Sequence, residues 1–244
     1  KGQAIINLIN IGPDETIQSL LPLSKATIGQ KVFLFFTTKD GVVKRTKIGD
    51  YANIRNNGLI AIKLANGDKL VWANQTSGDD YILLVTREGK SIRFKESDVR
   101  PTSRDTMGVR GILLSKDDYV VTMENLTQAQ LEEDKKRGIF KDLLVISEGG
   151  MGKRTELKQY PLQKRGGQGV KVAEITTKTG RIAGALIVTE NDLELLITTR
   201  EAQAIKLPIK NIPQLQRSTQ GVILMRFAKN GDTVAAVTSI AKEV

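Results

Sequence analysis

The chain has 244 residues, and its 37 lysines and arginines exceed its 27 aspartates and glutamates, which gives a formal net charge of +10. It contains no cysteine and no histidine, which excludes disulfides, thiolate zinc sites, cysteine nucleophiles and Ser-His or Cys-His catalytic pairs. The composition, with 40% hydrophobic and 26% charged residues and no apolar run long enough for a membrane span, predicts a soluble, cytoplasmic globular protein with a polyanionic partner.

The first predicted elements resemble half of a repeat. Gly2 is followed by an apolar run over 4–11, a turn at Gly12-Pro13-Asp14 and a second apolar stretch over 17–21. No hairpin precedes Gly2, and the chain begins at Lys1 rather than at methionine. We therefore expect a fragment or excised domain that lacks its first hairpin.

Four β-hairpins follow, each with an apolar strand, a tight turn and a basic strand. They are predicted over 32–45, 82–94, 143–155 and 193–207. Gly41, Gly89 and Gly150 stand at the first three turns. The fourth turn has Ala202 instead, which predicts a different turn type.

A second glycine follows each turn position after 17 to 19 residues. These glycines are Gly58, Gly108, Gly169 and Gly221. Each begins another apolar strand, and a further turn and a closing strand complete a unit of about four strands. Units of about 50 residues are typical of blades around an axis. The sequence predicts one all-β domain, a β-pinwheel or propeller-like ring of about five four-stranded blades, with units 1–30, 31–80, 81–140, 141–192 and 193–244.

The third unit is longer because of a charged insertion at 125–138. Thr127 and Gln130 have the spacing of a capping box. We expect a short helical or flexible insertion there.

Cations recur in phase with the repeat. Arg45, Arg93, Arg154 and Lys206 lie four residues after the turn position, and Arg104, Arg165 and Arg217 lie four before the second glycine. Rotation of the blades would place such charges along a rim, where they could neutralise successive phosphates. Aromatic residues make up only 5% of the chain, which favours duplex over single-stranded nucleic acid. The alternative is that the charges protect exposed strand edges from aggregation.

One glycine-rich stretch predicts a phosphate clamp. It contains Gln163, Lys164, Arg165, Gly166, Gly167, Gln168 and Gly169. Its three glycines would let backbone N–H groups approach an anion beside two fixed cations. The alternative is a flexible connection between blades.

This stretch resembles the glycine-rich box of the DNA gyrase A C-terminal domain family, usually Gln-Arg-Arg-Gly-Gly-Lys-Gly, although Lys164 and Gln168 differ from that form. Residues 93–101, 108–111, 152–155 and 218–222 also resemble repeat elements of the family. The resemblance implies a β-pinwheel whose basic perimeter binds and bends double-stranded DNA. It also implies a parent heterotetramer of the DNA gyrase A and DNA gyrase B proteins, an ATP-dependent type II topoisomerase that introduces negative supercoils. Its catalytic residues would lie outside this chain, which would have neither an enzymatic activity nor a cofactor of its own.

Ten cations are the predicted DNA contacts. They are Lys44, Arg45, Arg93, Arg110, Lys153, Arg154, Lys164, Arg165, Lys206 and Arg217. Two alternatives remain open, namely the corresponding domain of topoisomerase IV and a propeller that serves as a protein-interaction scaffold. We expect no membrane partner and a bacterial, nucleoid-associated location.

Overall fold

The computed structural model describes residues 12, 15–18, 21, 32–53, 58–189 and 192–241, and all structural statements below concern these residues. Their strands, in chain order, are β1 (Phe33–Thr38), β2 (Val42–Lys47), β3 (Leu70–Thr76), β4 (Tyr81–Thr86), β5 (Lys90–Lys95), β6 (Val109–Arg110), β7 (Val120–Leu126), β8 (Lys141–Ser147), β9 (Met151–Glu156), β10 (Val170–Lys171), β11 (Ile182–Thr189), β12 (Asp192–Thr199), β13 (Ala204–Pro208), β14 (Val222–Ile223) and β15 (Val234–Ala241). A helix, α1 (Gln128–Arg137), lies between β7 and β8.

The strands form four antiparallel sheets, which we call the first to fourth blades. From inner to outer edge their orders are β3-β1-β2-β6, β7-β4-β5-β10, β11-β8-β9-β14 and β15-β12-β13. The edge strands β3, β7, β11 and β15 contact one another in succession, so these edges face a common axis. The predicted all-β, propeller-like architecture is confirmed. The predicted unit 1–30 falls almost entirely outside the described residues.

Apolar residues from neighbouring blades share each core. Phe35 of the first blade packs with Leu84 and Ile92 of the second. Leu144 of the third blade packs with Leu195 of the fourth. Each sheet is therefore buried on the faces it presents to its neighbours, which explains why the central strands are apolar runs rather than alternating patterns.

The short outer strand of each of the first three blades comes from the following repeat. In the first blade, for example, Arg110 of β6 pairs with Val42 of β2. The sequence predicted that each unit would hold its own four strands, and this assignment is wrong for the strand after the second glycine. Close backbone crossing explains the glycine, because a Cβ at Gly169 would lie 2.1 Å from the carbonyl oxygen of Ser91.

The fourth hairpin turn has the same conformation as the other three. Ala202 has φ +61°, close to the values of +74° to +77° at the three turn glycines. Each turn residue donates its N–H to the carbonyl three residues earlier, which is Thr199 in the fourth hairpin. Asp232 Oδ1 also accepts from the Glu201 N–H at 3.1 Å. The predicted change of turn type is therefore wrong, because strand register and this aspartate impose a left-handed conformation on alanine.

The insertion forms the predicted helix. Thr127 Oγ1 caps α1 by accepting from the Gln130 N–H at 3.1 Å, and Gly138 ends it with φ +71°. Lys135, Lys136 and Arg137 occupy the last turn, where positive charge complements the helix dipole. Among the described residues, no helix has the length and apolarity needed to cross a bilayer.

Candidate nucleic-acid interface

The ten predicted contacts differ in exposure. Three are buried, four are partly buried and three are exposed. The buried ones are Lys44, Arg45 and Lys153; the partly buried ones are Arg93, Arg154, Arg165 and Arg217; the exposed ones are Arg110, Lys164 and Lys206. Their repeat phase therefore does not place them all on one surface.

Lys44 and Lys153 are interior lysines that hold the next repeat in place. Each is only 1% exposed. Lys44 Nζ donates to the carbonyls of Ala61, at 2.7 Å, and Arg104. Lys153 Nζ donates to the carbonyls of Gln216 at 2.5 Å and Arg217 at 2.6 Å. Burial lowers the pKa of both lysines to about 8. Their predicted phosphate contacts are therefore corrected to hydrogen bonds within the fold.

The arginines four residues after the turns also point inward. Arg45, 7% exposed, donates from Nη1 to the Gly78 carbonyl at 2.9 Å and lies 3.7 Å from Glu96. Arg154 donates from Nη1 to Asp142 at 3.0 Å. Both guanidinium groups are thus paired with a carboxylate within the fold. This corrects the predicted DNA contact at the buried Arg45, whereas a contact at the partly exposed Arg154 stays a prediction. Arg93 differs from both, because the described residues form no ion pair with it; its buried Nε, like that of Arg45, has no hydrogen-bond partner among them.

Arg165 and Arg217 lie in the loops that precede β10 and β14, two of the short outer strands that pair with the preceding blade. Each arginine binds a backbone carbonyl of the repeat before it. Arg165 Nη1 donates to the Arg110 carbonyl at 3.0 Å, and Arg217 Nη1 donates to the Lys171 carbonyl at 3.0 Å. Arg110 and Lys171 are equivalent residues of β6 and β10. Both arginines remain partly exposed, so a phosphate contact in addition to this structural bond stays a prediction.

The glycine-rich stretch is folded against the neighbouring repeat. The Gly166 N–H donates to the Gly111 carbonyl at 2.6 Å, and the Gly167 carbonyl accepts from the Leu113 N–H at 2.8 Å. The expected outward array of N–H groups is therefore wrong at Gly166, whose donor is used inside the fold. Lys164 is exposed beside it and has no ion pair within the described part of the chain.

Comparison with known proteins decides which family these blades belong to. The profile of the family described as DNA gyrase C-terminal domain, beta-propeller, matches residues 33–77, 80–126, 141–189 and 193–241. The chain belongs to the DNA gyrase C-terminal domain family. The resemblance expected from the glycine-rich stretch and the repeats is thereby confirmed at the level of the family.

Individual relatives agree with this assignment. The chain is 36% identical over 243 residues to the DNA gyrase A protein of Staphylococcus epidermidis, covering 100% of this chain and 26% of that protein. It thus spans about a quarter of this curated relative. A crystal structure of the topoisomerase IV C-terminal domain has a TM-score of 0.87 at 26% identity, covering 98% of this chain and 71% of the other. A structure of the DNA gyrase A C-terminal domain has a TM-score of 0.81 at 25% identity, with 98% and 75% covered.

In this member of the gyrase C-terminal domain family, unpaired positive charge lies on the outer side of the first two blades. We call four exposed cations without an ion pair in the described ranges the basic edge. They are Lys47, Lys95, Arg110 and Lys164. Lys47 and Lys95 were missed by the sequence analysis, although both stand six residues after a turn glycine, at the ends of β2 and β5.

Within the described ranges, the third and fourth blades lack this edge. Glu156 and Pro208 occupy the positions of Lys47 and Lys95, and exposed Ile223 takes the place of Arg110. Lys206, a predicted DNA contact, forms an ion pair with Glu194 at 2.5 Å. At these equivalent positions, the exposed cations without an ion pair among the described residues therefore lie on two blades instead of being spread evenly around the ring.

Proposed function

We propose that this domain binds duplex DNA along the basic edge and bends it around the outer side of the blades. The observation that carries the proposal is the group of four exposed cations on two consecutive blades, none of which has an acid partner among the described residues. Blades arranged around an axis present such charges along a curved path. Neutralising successive phosphates releases counterions and gives binding that does not depend on sequence.

The parent protein we propose is DNA gyrase A of a gyrase-type topoisomerase, acting with DNA gyrase B in the bacterial cytoplasm. The domain would present bent DNA to an ATP-dependent strand-passage enzyme whose catalytic residues lie in other domains. The described residues contain no cluster of three or more carboxylates suited to a metal ion. The role proposed for this chain is positioning of DNA, without a cofactor.

Topoisomerase IV is a second candidate parent, favoured by the TM-score of 0.87 to its C-terminal domain. The two parents are distinguished by activity. A full enzyme that introduces negative supercoils with ATP supports gyrase, and one that decatenates without supercoiling supports topoisomerase IV.

DNA binding is tested by the salt dependence of affinity for a duplex of about 40 base pairs. One variant replaces the basic edge by glutamine at Lys47, Lys95, Arg110 and Lys164. Because each lost phosphate contact lowers the slope of log K against log salt by about 0.9, we expect the slope to fall by about 3 to 4.

The matched control removes the same number of charges from exposed cations that already have an acid partner. These are Arg137, Lys158, Lys206 and Lys229. Both variants have the same net charge, so a general charge effect would weaken binding equally. An equal loss of DNA affinity in the two variants would contradict binding at the basic edge. A wild-type affinity that persists at high salt would also contradict it, and would favour the protein-scaffold function.

A further inference from the structure

A cleft between the second and third blades is not explained by the proposed DNA-binding surface. It lies beside α1 and has a volume of about 340 Å³. Its apolar lining includes Leu131, Ile139, Phe140 and Leu157. The Phe140 side chain is 74% exposed, which is unusual for a large aromatic residue that borders a cleft.

Arg93 lines this cleft and lacks the acid that its equivalents have. Arg45 lies near Glu96, the first residue of the 3₁₀ turn in the following repeat. The residue equivalent to Glu96 beside Arg93 is Leu157, the first residue of the corresponding 3₁₀ turn.

A second acid position is occupied in the third blade, where Arg154 pairs with Asp142. Asp142 faces Glu156 across its hairpin. In the second blade the residue equivalent to Asp142 is Tyr81, which lies opposite Lys95. Both acid positions around Arg93 are therefore occupied by residues without a carboxylate.

The result is an uncompensated guanidinium. The described residues form no ion pair with Arg93, and they provide no acceptor for its buried Nε. Burial lowers its pKa from the ordinary arginine value, yet an arginine stays charged at neutral pH. A charge that is largely removed from water and left unpaired is costly, and an external anion would relieve that cost.

The remaining charges around the cleft leave it positive. Asp134 pairs with Lys141 at 2.8 Å, and Glu156 pairs with Lys158 at 2.9 Å. Lys135 is exposed and has no ion pair in the part of the chain that the structure describes. Arg93 and Lys135 are therefore the net charges that an occupant would meet.

We propose that this cleft docks a protein segment that supplies an aspartate or glutamate to Arg93 and an aliphatic or aromatic side chain to the wall formed by Leu131, Phe140 and Leu157. A carboxylate matches the planar guanidinium. The apolar wall favours a peptide over a phosphate backbone, which has no apolar group to place there. The proposal is independent of DNA binding, because none of these residues belongs to the basic edge.

The test uses 4-phenylbutyrate as a probe that joins one carboxylate to one aromatic ring. It is added to the full 244-residue chain while the Arg93 Nε–Hε signal and the Phe140 ring signals are followed by NMR. We expect saturable shifts at both residues with a dissociation constant of about 1 to 10 mM. Arg154, whose acid is internal, gives a reference signal in the same spectrum and should not shift.

Controls separate the two halves of the site. The neutral 4-phenylbutanamide should bind at least about tenfold more weakly, because it lacks the charge that pairs with arginine. Phe140→Ser should weaken 4-phenylbutyrate binding about tenfold, whereas Met107→Ser, at a residue that is 54% exposed elsewhere, should not. Arg93→Gln should abolish the shift at Phe140 without lowering the urea midpoint, since it removes an unpaired charge.

Three results would overturn the proposal. The first is no saturable shift at Arg93 up to about 20 mM probe. The second is a shift of equal size with inorganic phosphate, or displacement of the probe by duplex DNA, either of which would assign the cleft to phosphate. The third is a fall in the urea midpoint of Arg93→Gln as large as that of Arg154→Gln, which would make Arg93 a structural residue.

Discussion

One carboxylate, that of Glu124 on the inner edge strand of the second blade, should contribute strongly to the change of unfolding free energy with pH. It lies on β7, opposite Leu83, and has no ion pair within the residues described. Burial raises the pKa of Glu124 to about 7, opposed by a hydrogen bond from the Ile187 backbone. The substitution Glu124→Gln removes the titration and keeps the shape of the side chain.

The sign follows from proton binding in the two states. Between about pH 4.5 and 7 the folded chain keeps a proton on Glu124 that the unfolded chain releases, so stability falls as the pH rises through this window. The full shift corresponds to about 3 kcal/mol, and residual hydration at the edge of the ring reduces it to about 2 kcal/mol. Glu124→Gln should therefore be more stable than wild type by about 2 kcal/mol at about pH 8 and similar to it at about pH 5.

Urea unfolding followed through the single tryptophan, Trp72, measures this difference. Trp72 packs against the core cluster that contains Met123, the neighbour of Glu124. Glu132→Gln on the exposed face of α1 is the control and should follow the wild-type pH profile. A Glu124→Gln profile parallel to that of wild type from about pH 5 to 8 would refute the account of this carboxylate.

Three further predictions concern the hairpin turns, the short outer strands that come from the following repeat, and the buried lysines. Ala202→Gly should raise the unfolding free energy by about 0.5 to 1 kcal/mol in urea titrations, because glycine adopts φ +61° without strain; unchanged or lower stability would contradict it. Gly169→Ala should lose at least about 2 kcal/mol and the amide protection of β10, because the new Cβ would meet the Ser91 carbonyl; wild-type protection would count against the close crossing. Lys44 and Lys153 should titrate with a pKa of about 8 in NMR of protein that carries ¹³C at the lysine Cε, and ordinary lysine values for both would show that their ammonium groups are solvated.

The repeat architecture could be predicted from sequence because glycines and apolar strands recur at nearly fixed spacing. The same spacing could not show that β6, β10 and β14 join the preceding blade. Pairing partners in a sheet are chosen by long-range contacts, and a strand of two residues has too little pattern to identify its partner. The type of the turn at Ala202 was predicted wrongly for a related reason, since Asp232 and strand register override the local preference of alanine.

The candidate site was predictable only in part. Repeat phase shows that Arg45, Arg93 and Arg154 are equivalent, but it does not show which side of the sheet is covered. Lys44 is buried because residues near Arg104, 60 positions later in the chain, cover its end. The exposure of each cation is therefore known only from the structure. On that basis Lys47 and Lys95 replace these side chains in the candidate surface.

Binding and bending of duplex DNA by the basic edge is the function proposed for this domain. Its most direct test is end-to-end energy transfer on a duplex of about 150 base pairs, a length near the persistence length of DNA, titrated with wild type and with the basic-edge variant across a salt series. We expect a rise in transfer with wild type that disappears with increasing salt, and a much smaller rise with the variant. Binding without any rise in transfer, or an equal rise with both proteins, would contradict it.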